Sequence, residues 1–339
     1  MTLESIVLNR RITTTLMLAL VASLLLVVTP RAHAANACTD FAVIDNAPVF
    51  QYPSKSSFRS FWNRLLARLE PFHMAHDLIV AEGEPSVMVG KFDYDAYWHK
   101  DLEYEDVNVY IHGTDLTQWY YLGRYRTNWD GKIYAHIPPL PEGQYQVRMV
   151  VRGDLSETTG YVTVIRQGAR AVVFDIDETL TISDFEQIGD YTGLSTAQAR
   201  GGAAELVQHY VSQGYHPIFV TGRTYWYARG TRQWLADYLG VPHFTLRHSK
   251  SNRTGIFRVA EYKTAELEGF IDSGVDILRA YGNASTDIEA YQNVGIANED
   301  IYIVGRNAGN DGSQPISEGH FWNHLYEVAY PDTPHSGCQ

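Results

Sequence analysis

A change of hydrophobic period near residue 170 constrains this chain more than any other feature. Before it, short segments alternate apolar and polar residues: Tyr145, Val147, Met149 and Val151 fall on one face, Gln146, Arg148 and Arg152 on the other. The expected strands are Ser86–Phe92, Asp106–His112, Gln118–Arg126, Lys132–Ile137, Gln144–Arg152 and Tyr161–Ile165, with turn signals at His112-Gly113-Thr114-Asp115, Asn128-Trp129-Asp130-Gly131 and Pro141-Glu142-Gly143. Short strands at this spacing imply an all-β, immunoglobulin-like sandwich. After it, Ala171–Phe174 is a continuous apolar run, as in a strand buried on both faces. Helical patterns at Ala203–Gln213, Thr224–Leu239 and Asp287–Val294 then alternate with apolar strands at His216–Val220, Val275–Tyr281 and Ile301–Val304. That alternation implies a doubly wound, Rossmann-like α/β domain. The expected organisation is a leader over 1–34, an N-terminal segment over 35–80, the sandwich over 81–167 and the α/β domain over 168–330.

Charge narrows the partners. The 27 basic and 39 acidic residues give −12, which argues against nucleic acid, since phosphate contacts need a Lys/Arg surplus. At the N-terminus, Arg10 and Arg11 precede an apolar run from Ile12 to Val28, with Ala32-His33-Ala34 and Ala35-Asn36-Ala37 beyond. These are the parts of an export signal, cleaved after Ala34 or Ala37; the alternative is an uncleaved anchor. Without residues 1–34 the chain keeps 24 basic and 38 acidic residues, a charge of −14. The expected location is therefore periplasmic or secreted. Outside the cytoplasm Cys38 and Cys338 can pair; an acylated Cys38 or two free thiols are the alternatives.

Between leader and sandwich, Phe58, Phe61, Trp62, Leu65, Leu66 and Leu69 follow helical spacing, with Arg59, Arg64 and Arg68 off that face and Pro71 ending the run. Residues 57–70 thus read either as a helix packed on its own protein or as an interfacial helix in peripheral contact with a membrane.

The chemistry lies in the α/β half. Phe174-Asp175-Ile176-Asp177-Glu178-Thr179 follows the first apolar strand directly. Two aspartates at i, i+2 on extended backbone point the same way, which repulsion opposes. Mg²⁺ relieves that repulsion by taking oxygen ligands. One carboxylate can then attack phosphorus, and the second can serve as general acid and base. Three more elements follow in order. Val220-Thr221-Gly222-Arg223 places a hydroxyl, a glycine and a helix start at a strand end, which suits a phosphate. Lys263 supplies an ammonium, and Gly282-Asn283 through Asp287 offers further oxygen ligands. Open α/β sheets bind ligands at these carboxyl ends.

These four elements, in this order, resemble the haloacid dehalogenase superfamily of phosphotransferases. Thr221-Gly222-Arg223 through Thr231-Arg232-Gln233-Trp234-Leu235, and Gly282-Asn283 through Asp287-Ile288-Glu289-Ala290-Tyr291, look like its lipin-type phosphatidate phosphatase branch. Upstream, His76-Asp77-Leu78-Ile79-Val80, Val89-Gly90-Lys91-Phe92, Trp119-Tyr120-Tyr121-Leu122-Gly123 and Val147–Asp154 resemble the C-terminal region of retinal-degeneration-B-type phosphatidylinositol transfer proteins. That likeness spans roughly residues 76–310. In those transfer proteins the nucleophile position is lost; here Asp175 and Asp177 both stand. The resemblance implies Asp175 as nucleophile and Mg²⁺ ligand, and Asp177 as acid/base with its carbonyl on the metal. It implies Asn283 and Asp287 as further metal ligands, and Thr179, Thr221, Gly222, Arg223 and Lys263 around the phosphoryl group. The implied activity is Mg²⁺-dependent hydrolysis of phosphatidic acid to diacylglycerol and phosphate. The alternatives are a silent phosphatidic-acid-binding module and an exported phosphatase for a phosphoprotein or sugar phosphate. From Thr181 to His216 there is room for one helix and a loop, not for a folded cap, so an open site is expected.

Overall fold

The computed structural model describes residues 41–95, 98–183, 197–241, 243–249 and 258–336. The leader over 1–34, Cys38 and Cys338 lie outside the described residues. No helix among the described residues is long and apolar enough to cross a membrane.

The first half is built from strands β1 (Met74–Ala75), β2 (Leu78–Ala81), β3 (Ser86–Lys91), β4 (Asp93–Tyr94), β5 (Lys100–Asp101), β6 (Asp106–Gly113), β7 (Tyr120–Arg126), β8 (Lys132–Ile137), β9 (Gly143–Val151) and β10 (Glu157–Ile165). They form a three-stranded sheet, β1-β3-β8, and a five-stranded sheet, β2-β10-β9-β6-β7, with β4 and β5 as a separate ribbon. The inward positions of the alternating strands meet in one core, in which Met88, Phe92, Val107, Val109, Tyr145, Val147 and Met149 are fully buried. Sandwich strands begin before residue 81: β1 pairs with β3, and β2 runs parallel to β10, Val162 opposite Leu78. Those two strands are too short to show alternation, which is why the sequence placed them outside the sandwich. Strand β10 likewise starts four residues before the expected Tyr161, because its antiparallel ladder with β9 continues to Glu157.

The expected helix over 57–70 is reduced to Phe61–Leu66. Helices are α1 (Ala42–Asp45) and this segment, α2. Ser60 caps it by accepting from Trp62 N–H, and the Glu105 carboxylate accepts from the backbone N–H of Arg59 and Ser60. That anchor fixes the first turn. It turns Asn63 inward, onto Glu105 and the Glu103 carbonyl, while Phe61 and Trp62 stay 64% and 74% exposed. Phe58 and Leu66 instead pack against the sandwich core. The apolar stripe read from the sequence is therefore divided between core and solvent.

The second half contains β11 (Ala169–Phe174), α3 (Ala203–Ser212), β12 (His216–Thr224), α4 (Ala228–Leu239), β13 (Thr245–Ser249), α5 (Val259–Asp272), β14 (Val275–Gly282), α6 (Ser285–Asn293), β15 (Ile301–Val304) and β16 (Gln314–Ile316). Its sheet has the order β13-β12-β11-β14-β15-β16, with every pairing parallel. Two cores flank it. Phe174, Phe219 and Tyr281 pack with Leu206, Tyr210, Trp234 and Leu235 of α3 and α4; Val173, Ile218, Ala280 and Ile303 pack with Leu267, Phe270, Ile288 and Tyr291 of α5 and α6. Strands β13 and β16 and helix α5 were not read from the sequence. β13 carries Arg247 and His248 in a buried position, and α5 mixes Glu and Lys into its buried face.

The halves are tied through Asp77, which is fully buried. Its carboxylate accepts from Tyr161 N–H, Leu246 N–H and the Arg232 guanidinium. Tyr225, just past β12, donates to Asp93 of the sandwich at 3.0 Å. These bonds hold the sandwich beside the ends of β12 and β13.

Candidate active site

The parallel order reverses direction between β11 and β14, since β12 lies on one side of β11 and β14 on the other. At such a switch point the loops part and leave a crevice. Asp175 sits there, its N–H donating to the Tyr281 carbonyl of β14 at 2.9 Å. Tyr291 of α6 donates to that same carbonyl at 2.8 Å.

Asp175 is 5% exposed and Lys263, from α5, only 2%. The Lys263 ammonium donates to Asp175 Oδ1 and, at 2.6 Å, to Asp287 Oδ1. Thr179 Oγ1 donates to Asp175 Oδ2 at 2.8 Å and lies 3.3 Å from Asn283 Oδ1. Asp287 is fixed by the start of its own helix: Oδ2 accepts from the N–H groups of Asn283 and Ala284, 3.0 Å each. That is the side-chain cap expected from an acidic residue in a first helical turn. Burial pushes the Asp175 carboxyl up to about 7; Lys263 opposes that rise, while Asp287 and Asp177 add to it. Burial disfavours the Lys263 charge, but Asp175 and Asp287 together hold its affinity for the proton above the ordinary lysine value.

Asp177 is held differently. The Arg223 guanidinium grips its carboxylate from Nη2 at 2.6 Å and Nε at 2.8 Å, and Thr221 Oγ1 lies 3.3 Å away. Arg223 Nη1 in turn donates to Thr231 of α4 at 2.9 Å. Gly222 sits between Thr221 and Arg223 within β12. Glu178 follows with a left-handed backbone (φ 53°) and accepts from Asn283 Nδ2 at 3.2 Å.

The site residues singled out from the sequence thus gather at these strand ends in two groups, with Lys263 reaching in from α5. Asp175, Thr179, Lys263, Asn283 and Asp287 form one; Asp177, Thr221, Gly222 and Arg223 form the other. In this geometry Lys263 bridges two carboxylates, and Arg223 clamps Asp177. Sequence reasoning missed Arg200, whose guanidinium donates to the carbonyls of Thr179 at 2.9 Å, Glu178 at 2.6 Å and Gly319 at 2.6 Å. It holds the loop after Asp177 in place; an isolated arginine ahead of a helix carries no sequence signal for this. No folded cap appears among the described residues between Thr181 and His216, where Thr181 bridges Ala199 and α3 follows.

No three His, Cys, Asp or Glu side chains converge as a metal site among the described residues. Oxygen donors do share neighbours here: Lys263 touches the carboxylates of both Asp175 and Asp287, and Thr179 reaches both Asp175 and the Asn283 amide oxygen. Gly282 is constrained by the same group: a Cβ there would lie 2.6 Å from that of Asp287. Gly282→Ala should therefore displace the capping carboxylate and cost about 1–3 kcal/mol, read as a lower thermal midpoint; an unchanged midpoint would show that the helix start yields freely.

Comparison with known proteins agrees with this layout. Residues 71–164 match the family model of the PITM 1-3 beta-sandwich domain, and residues 172–305 that of the PITM 1-3 LNS2 domain. The chain is 33% identical over 243 residues to the human membrane-associated phosphatidylinositol transfer protein 1, covering 69% of this chain and 18% of the relative. Identity to the retinal degeneration B protein of Drosophila melanogaster is 32% over 239 residues, covering 69% and 18%. Against the human membrane-associated phosphatidylinositol transfer protein 2 it is 31% over 277 residues, covering 75% and 19%. The chain therefore spans about a fifth of the length of these relatives. Across a β-sandwich followed by an LNS2 domain, it is a homologue of the membrane-associated phosphatidylinositol transfer and retinal degeneration B proteins.

Proposed function

We propose that this chain is a Mg²⁺-dependent phosphatase of the haloacid dehalogenase type that releases phosphate from phosphatidic acid. The observation that carries the reading is the buried Asp175, held between the Lys263 ammonium and the Thr179 hydroxyl at the end of β11. A lipid-binding pocket without turnover has no need of a carboxylate kept out of water at that point.

The donor chemistry fits Mg²⁺. Asp175, Asp177 and Asp287 outnumber Lys263 and Arg223; the upward shift of Asp175 comes first from its burial, and Asp287 and Asp177 add to it. Carboxylates of Asp175 and Asp287, the Asn283 amide oxygen and the Asp177 carbonyl would hold the ion, and hard oxygens are the ligands it favours. When bound, it would offset the repulsion between Asp175 and an incoming phosphate. Asp175 then attacks phosphorus, and the bond from phosphorus to the glycerol oxygen breaks, leaving an aspartyl-phosphate. Asp177 gives a proton to the departing oxygen, then takes one from the water that hydrolyses the aspartyl-phosphate. Thr179 and Lys263 keep the Asp175 oxygens aimed, and Arg223 sets the side-chain direction of Asp177.

One observation favours a second reading, lipid binding without turnover: both oxygens of Asp177 are engaged by Arg223. The names of the relatives fit that reading as well. An activity panel separates the readings. Phosphatidic acid in mixed micelles, a phosphopeptide and a sugar phosphate are each offered with Mg²⁺ and with EDTA. Mg²⁺-dependent release from the lipid is expected. Release from the soluble compounds only would remove the lipid substrate and keep the phosphatase.

Membrane contact is assigned to α2 and its flanks. Phe61, Trp62 and Leu69 are exposed beside Arg59, Arg64 and Arg68, a mixture that suits an anionic headgroup layer. Phe61→Ser with Trp62→Ser should weaken liposome binding severalfold while moving stability by no more than about 0.5 kcal/mol, since both side chains are in solvent. Unchanged binding in flotation assays would exclude this surface.

A further inference from the structure

The turn between β4 and β5 displays a tryptophan that neither the fold nor the proposed chemistry uses. Trp98 is 87% exposed, more than any other large apolar side chain among the described residues. A single exposed apolar residue is ordinary. What sets this one apart is how its turn is held and what stands beside it.

The turn is held at a cost. Asp95 (φ 77°) and His99 (φ 44°) both take left-handed backbone, which a residue with a Cβ keeps only where its surroundings over-determine it. Asp95 Oδ1 accepts from the Trp98 N–H at 2.9 Å, and the Asp95 N–H donates to the Glu70 carbonyl at 2.9 Å. The His99 ring stacks on Trp226 at 4.4 Å, meets Phe72 edge-on and lies 3.3 Å from the buried Asp93 carboxylate. Trp98 is therefore presented from a fixed base.

That base joins two places. Glu70 lies just past α2, so the Asp95 bond ties the turn to the segment that exposes Phe61, Trp62 and Leu69. Trp226 lies just past β12, three residues after the Arg223 that clamps Asp177. The turn thus stands between α2 and a strand end of the candidate site. The charge left over beside it is positive. Arg64 and Arg68 are exposed and have no partner among the described residues, while Glu70 is paired with Arg229 at 2.6 Å and Glu103 with Lys100. Exposed indole and phenyl rings beside uncompensated guanidinium groups match an anionic bilayer: aromatic rings settle at headgroup depth, and cations gain from the negative surface potential.

We propose that the β4–β5 turn inserts Trp98 into the headgroup layer of an anionic membrane, alongside α2, and so sets the carboxyl end of β12 against the leaflet. The inference rests on the reading of a membrane lipid as substrate and adds how that lipid is met: an uncapped site brought to the leaflet takes a headgroup without lifting the lipid into water.

The test uses the full chain carrying Asp175→Asn in EDTA, so that neither turnover nor metal plays a part, with 5-fluorotryptophan in place of its seven tryptophans. The Trp98 resonance is assigned by its loss in Trp98→Phe, and the buried Trp234 is the internal control. Bicelles of phosphatidylcholine and phosphatidic acid, carrying a spin label just below the headgroups, should broaden Trp98 and Trp62 strongly and leave Trp234 sharp. In flotation with vesicles of the same lipids, Trp98→Ser should bind about tenfold more weakly, since the apolar area buried in the interface sets binding strength. Its thermal midpoint should be unchanged. A Trp98 signal as sharp as that of Trp234, or Trp98→Ser floating no less than its parent, would overturn the proposal. Equal flotation of the parent with pure phosphatidylcholine vesicles would overturn it by removing the anionic partner. A Trp98 signal that shifts with protein concentration alone would overturn it by assigning the face to a second copy of the chain. No turnover is measured, so none of these results depends on whether Asp175 supports phosphate release.

Discussion

Asp175→Asn is expected to lower phosphate release by about 10⁴-fold or more while leaving the chain folded. The amide can keep its carbonyl oxygen on the Lys263 ammonium and offer its NH₂ to Thr179, whose hydroxyl can then turn to Asn283 Oδ1, 3.3 Å away. Packing survives, and the nucleophile is gone. The same variant has a signature in stability. The folded carboxyl is raised to about 7 from an ordinary 3.8, chiefly by burial. Between those values the folded state keeps a proton that the unfolded chain has lost, so metal-free stability falls as pH rises through this window. The variant lacks that group. Its thermal midpoint relative to wild type in EDTA should therefore climb from pH 4 to pH 7 and level off above. A relative midpoint that falls over the same range would contradict the placement of Asp175 as a buried, partly uncompensated acid. Asp177→Asn should also be severe, about 10²–10⁴-fold in turnover, through the lost proton transfer.

Lys263→Met should give the largest loss of stability. The ammonium is 2% exposed and touches two buried carboxylates, so the variant leaves Asp175 and Asp287 facing each other with no cation between them. Breaking a buried pair on one side costs about 3–5 kcal/mol. For a body of this size that is between about 6 and 20 °C in Tm, at about 2–4 °C per kcal/mol. Adding Asp175→Asn to Lys263→Met should recover part of the loss, because the two side chains share one interaction and their effects are not additive. Mg²⁺ should raise the midpoint of Lys263→Met more than that of wild type, since a carboxylate pair without its ammonium has more to gain from a divalent ion. A midpoint for Lys263→Met within a degree of wild type would show that the bridge contributes nothing net.

The parts of this molecule that were legible in the sequence are those written locally. Alternation in Tyr145–Val151 and the apolar runs at Ala171–Phe174 and Ile301–Val304 each specify burial within one strand, and the structure has strands there. The strand-end residues Asp175, Thr221 and Asn283 were legible for the same reason: Asp175 and Asn283 directly follow their own strands, and Thr221 lies near the end of β12. What was not legible depends on residues far apart in the chain. Lys263 reads as an ammonium for the site, but its bridge between carboxylates forms only where β11 and α6 bring Asp175 and Asp287 to it. The clamp of Arg223 on Asp177 spans 46 residues, and the tie of Asp77 to Arg232 spans 155. Residues 57–70 mislead for a related reason. Their spacing describes one helical face, but the Glu105 carboxylate, from another segment, sets where the helix starts and which side turns inward.

Phosphate release and vesicle binding, measured on the same preparation with phosphatidic acid vesicles and Mg²⁺, test the central claim most directly. The expected result is that wild-type chain binds the vesicles and releases phosphate, EDTA stops the release, and Asp175→Asn binds without releasing. Wild-type chain that binds phosphatidic acid as Asp175→Asn does, with no phosphate released by either, would contradict catalysis and leave a lipid-binding module.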